Sequence, residues 1–235
     1  MIVGAAFCPH PPALVPDMAG VAAGELADLR RACAEVIGEL GALGKPLVLL
    51  GAGPESGAHA PPCRGSLAGY GLAIEVHLGA PASGGDLDLP LSLTIGAWLV
   101  REALGLRSGA RGFSIGPDFA AHRASAELLA VAEHEDVSLL VMGDGSARRS
   151  EKAPGYWDER AVPFDAAVSA ALASGDAAAL LDVDAGLGGE LLAAGVGAWH
   201  AAARLLGGGR YDAVRRYDAA PYGVGYFVAR WLPRA

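Results

Sequence analysis

A chain of 235 residues with 52% hydrophobic and 19% charged residues is long and apolar enough to bury a large core, which argues against intrinsic disorder. Its net charge of -8 argues against nucleic acid, which needs a basic face, and against an anionic membrane surface, leaving a small-molecule ligand or another protein as the partner class. Three cysteines without a CxxC spacing, no basic leader before Pro9 and no apolar run of about 18 residues point to a reducing, cytoplasmic setting.

Aromatic residues make up only 6%, so small aliphatic side chains must fill the interior. Ile2–Phe7 reads as a buried strand, ended by Cys8-Pro9-His10-Pro11-Pro12, where the prolines forbid further ladder pairing and leave His10 on a loop. Ala19–Leu43 reads as a long helix, with Leu26, Leu29, Cys33, Val36, Ile37 and Leu40 at helical spacing and Gly41 and Gly44 at its stop. Pro46–Leu50 is a second strand, running into Gly51-Ala52-Gly53-Pro54-Glu55, and Leu72–His77 a third. Gly79–Pro90 reads as a flexible Gly/Pro/Asp loop. Then come a helix over Leu91–Leu106, a strand over Arg111–Ile115, a helix over Ala120–Glu135 and a strongly β-prone run, Val137–Met142, ending at Gly143-Asp144-Gly145-Ser146. A long loop, Ala147–Val162, precedes helices over Pro163–Ala173, Ala177–Asp182 and Leu187–Leu206. Two strands, Tyr211–Tyr217 and Val224–Trp231, close the chain around a turn at Asp218–Gly223. The alternation predicts one α/β domain over 1–235, a mostly parallel or mixed central sheet flanked by helices. In such sheets ligands bind beyond the carboxyl ends of strands, where the turns around His10, Glu55 and Asp144 are expected to fall.

Three segments carry a family resemblance. Cys8–Pro16 (CPHPPALVP), Gly143–Asp165 (GDGSARRSEKAPGYWDERAVPFD) and Ala220–Ala229 (APYGVGYFVA) resemble, in the same order, the opening, the GDxSHR region and the C-terminal APFGVGY hairpin of class III extradiol (LigB-type) ring-cleavage dioxygenases. The resemblance implies a ferrous ion held by two histidines and a carboxylate, with open positions for a catechol and dioxygen, and a further histidine that handles protons. His10 matches the first ligand histidine. The second falls at or near Gly53, the carboxylate at Ala219 and the acid/base histidine at Ala147, and neither glycine nor alanine coordinates a metal or carries a proton.

A rebuilt Fe(II) site from His10, His59 in the loop GAHAPP and Asp218 is the alternative, although Asp218 should point away from the face that Ala219 presents unless a turn or bulge re-aims it. The candidate pocket residues are His10, Glu55, Asp144, Ser146 and Tyr222, with Tyr226 beside them; each also has a plain structural role open to it, such as a hydrogen-bonded loop histidine or a core tyrosine. His59, His77, His122, His134 and His200 show no mutual ligand spacing, and Ser146 lacks both the G-x-S-x-G elbow and a recognisable base. Cys8 reads as a small buried hydrophobe. The expected function is a degenerate dioxygenase-like protein without ring cleavage, needing no cofactor, that binds a small molecule or serves as a partner subunit. An active enzyme with relocated ligands and a structural homo-oligomer are the alternatives.

Overall fold

The computed structural model describes every residue except 60, 80–85, 88, 106–109, 118–133, 208–209 and 235. Its centre is a seven-stranded sheet in the order β3-β7-β2-β8-β1-β10-β9. The strands are β1 (Ile2–Cys8), β2 (Leu47–Ala52), β3 (Gly57–His59), β7 (Arg111–Ile115), β8 (Val137–Met142), β9 (Tyr211–Ala219) and β10 (Tyr226–Pro233). Strands β7, β2, β8 and β1 are mutually parallel, whereas β3 and β10 pair antiparallel at either side and β9 continues the sheet beyond β10. The expected α/β architecture is therefore present, and a mixed sheet is what the terminal hairpin adds to a parallel core.

Strand β8 shows why the centre is parallel. All six residues of VSLLVM are buried, as a strand covered by helices on both faces requires. Alternate side chains go to opposite cores. Ala5, Phe7, Leu139 and Val141 join the core under α4 (Ala161–Ser174) and α7 (Val196–Leu206). Ala6, Cys8, Leu140 and Met142 join the core under α2 (Ala27–Ala42) and α3 (Leu91–Leu104). All three cysteines are buried, the role expected of Cys8.

Several boundaries differ from the sequence reading. The first long helix begins at Ala27, because Gly20, at φ 53, follows a single turn, α1 (Pro16–Ala19), and 20–26 winds as a 3-10 segment. The strand read at Leu72–His77 is β5 (Glu75–Leu78), and it belongs to a separate three-stranded sheet with β4 (Cys63–Ser66) and β6 (Asp86–Leu87). His59, read as part of a loop, lies on edge strand β3, too short to show a period in the sequence. The helix read as Leu187–Leu206 is two helices, α6 (Ala185–Glu190) and α7, separated by a break in which Leu192 adopts φ 57. The break brings Gly195 against Gly143, its N–H donating to the Asp144 carbonyl at 2.9 Å. The short helix α5 spans Ala177–Leu181. The helix read at Ala120–Glu135 and most of the Gly79–Pro90 loop lie outside the described residues. Among the described residues, no helix is long and apolar enough to cross a membrane.

Candidate functional site

The carboxyl ends of β1, β2, β8 and β9 share one edge of the sheet, and the residues singled out from the sequence fall along it. The Cys8–Met142 register places the turns after β1 and β8 side by side, and the Gly143 N–H donates to the Cys8 carbonyl at 2.9 Å. Asp144 is thereby presented to His10. Its Oδ1 accepts the His10 backbone N–H at 2.7 Å and lies 3.5 Å from His10 Nδ1. His10 is only 7% exposed, and its Nδ1 is buried without a hydrogen-bond partner. Burial raises the Asp144 carboxyl above its ordinary range, and the nearby His10 works against that rise. Tyr226, opposite Ala219 in the hairpin, is buried near Asp144; burial first, and the Asp144 charge second, push its phenol upward.

This arrangement gives a signed pH dependence. A carboxyl whose folded pKa lies above its unfolded value takes up a proton on folding, so its contribution to stability falls as pH rises through the window just above the ordinary carboxylate range. Asp144→Asn keeps an acceptor for the His10 N–H and removes the buried charge. The variant is expected to be more stable than the parent at neutral pH and to lose that advantage on acidification, as read by urea denaturation across the pH range.

Ser146 takes the structural role that was open to it. It is fully buried, its N–H donating to Asp165 Oδ1 and its hydroxyl to Asp165 Oδ2, both at 2.8 Å. Arg149 approaches the same carboxylate at 3.5 Å. Ser146 thus clamps the turn to α4. A Cβ on Gly145 or Gly225 would come within 2.8 Å and 2.4 Å of the Asp165 carboxylate, so the two glycines admit the aspartate. Tyr222, another pocket candidate, lies at the hairpin turn. At φ 60 it turns outward, 44% exposed, and its hydroxyl donates to Glu25 Oε2 at 2.8 Å, which braces the hairpin turn against the segment before α2.

The proposed triad of His10, His59 and Asp218 is not assembled. His59 Nε2 lies 2.9 Å from Ser114 Oγ on β7, and β7 stands three interstrand spacings, about 14 Å, from β1. Asp218 faces α4, where its Oδ2 accepts the Ser169 hydroxyl at 2.5 Å and meets Arg215 at 3.1 Å. Among the described residues, no group of three or more His, Cys, Asp or Glu side chains is placed to hold a metal ion. The donors present do not fit a ferrous site built on two histidines and a carboxylate.

Gly53 explains part of this. Its N–H donates to the Ile115 carbonyl at 2.9 Å, and a Cβ added there would sit 2.6 Å from Ser114 Cβ. Ser114 is itself buried and donates to the Glu55 carbonyl at 2.7 Å, so it cannot readily yield. The room a side chain would need at 53 is filled. Gly53→Ala is expected to cost about 1–3 kcal/mol as an overpacking substitution, and in a Ser114→Gly background, where the clashing Cβ is gone, the same substitution should cost much less, as a double-mutant cycle in chemical denaturation reads. Beside Ser114, the strand-end edge opens into a cleft of about 440 Å³ lined by Pro54, Glu55, Ser56, His59 and Pro90. Of the residues singled out from the sequence, Glu55, a pocket candidate, and His59, a metal candidate, line this cleft. Ser114 and Asp165 were overlooked; a lone serine in the apolar RGFSI strand and an aspartate entering a helix at VPFD were the available signals.

No protein-family model and no curated protein matches the chain. Among solved structures it is similar to the uncharacterized protein JW3007 from Escherichia coli K12, with a TM-score of 0.50 and 12% identity over 98% of this chain and 99% of that one. At that identity the likeness is one of fold.

Proposed function

We propose that the chain is a degenerate LigB-type protein that has lost ring cleavage and binds a small molecule at the carboxyl edge of its sheet, in a cytoplasmic setting. The observation that carries this reading is Gly53. The position that the resemblance assigns to a metal-ligand histidine is closed by Ser114, and the neighbouring functional positions are Ala147 and Ala219. His10, the surviving match, is engaged with Asp144. The cleft beside Ser114 is lined by the Glu55 carboxylate, the His59 ring and the flat rings of Pro54 and Pro90, which suits a polar, partly apolar small molecule. The test is oxygen uptake by purified protein supplied anaerobically with ferrous iron, then mixed with catechol or 2-aminophenol and oxygen. No uptake beyond the protein-free control is expected; ring-cleaved product from either substrate would overturn the proposal.

A second reading, a partner subunit or homo-oligomer, is favoured by a separate observation. Tyr156, Leu192 and Tyr222 combine positive φ, which costs backbone energy, with large exposed side chains. The segments that carry them adjoin: a Cβ on Gly155 would meet Leu192, and one on Gly223 would meet Ala153. Exposed Trp157 extends the same surface. Sedimentation velocity should show an assembly that Trp157→Ser weakens; a monomer at all accessible concentrations would exclude self-association.

A further inference from the structure

We draw no further inference here: the strongest candidate, the pair of core thiols formed by Cys8 at the end of β1 and Cys33 on α2, carries nothing, because both are sealed inside the fold and burial pushes the Cys8 thiol well up, which keeps it protonated and inert.

Discussion

Replacing Asp165 with alanine is expected to destabilise the protein by about 3 kcal/mol, because it strands two buried donors at once. The carboxylate is 1% exposed and accepts both the backbone N–H and the hydroxyl of Ser146. Neither group has water to fall back on, and Arg149 loses its counter-charge. Burial raises the Asp165 carboxyl despite these three partners, so the aspartate is held at a cost and its hydrogen bonds decide the sign. Asp165→Asn retains one acceptor and should cost distinctly less. Urea denaturation of the two variants distinguishes the cases. Since Asp165 fixes the turn that carries Asp144, the alanine variant should also loosen the His10 contact, visible as faster hydrogen exchange at the His10 amide.

Trp231→Ala should have an effect of similar or larger size, about 3–5 kcal/mol, as a large-to-small change in a sealed core. The ring is fully buried, 5.0 Å from Phe7 and stacked on Tyr211 at 5.6 Å between centroids. Its Nε1–H donates to the Leu172 carbonyl at 2.7 Å. That carbonyl lies in the last turn of α4, where helix geometry leaves carbonyls without an intrahelical partner, so Trp231 ties the helix end to β10. Trp231→Phe preserves most of the packing but not the bond, and should lose about 1–2 kcal/mol. Equal losses for the two variants in thermal or chemical denaturation would mean that the hydrogen bond, not the ring volume, dominates.

The central fold was legible because its strands are extreme. Val137–Met142 is apolar but for Ser138 and bounded by an acidic stretch and a glycine turn, which leaves little alternative to a buried strand. The placement of His10 and Asp144 on one edge followed from the same logic, since prolines and glycines end both strands. Periodicity failed where tertiary contacts overrode it. The helix through 187–206 breaks so that Gly195 can meet Gly143, a contact with no local signature. Strand β3 exists through pairing with β7 and is three residues long, so His59 looked like a loop residue. At the site, Ser146 and Tyr222 were identified by motif neighbourhood, yet their partners Asp165 and Glu25 are 19 and 197 residues away. The expected outward aim of Asp218 relative to Ala219 followed from strand alternation alone, and its contact with Ser169 on α4 agrees with it.

The proposal that ring cleavage has been lost is tested most directly by the iron content of the protein. Chain purified without chelators, treated anaerobically with excess ferrous iron and desalted, should carry no iron above the buffer blank by elemental mass spectrometry, with His10→Ala indistinguishable from the parent. Stoichiometric iron that disappears in His10→Ala would contradict the account and establish a metal site built around His10.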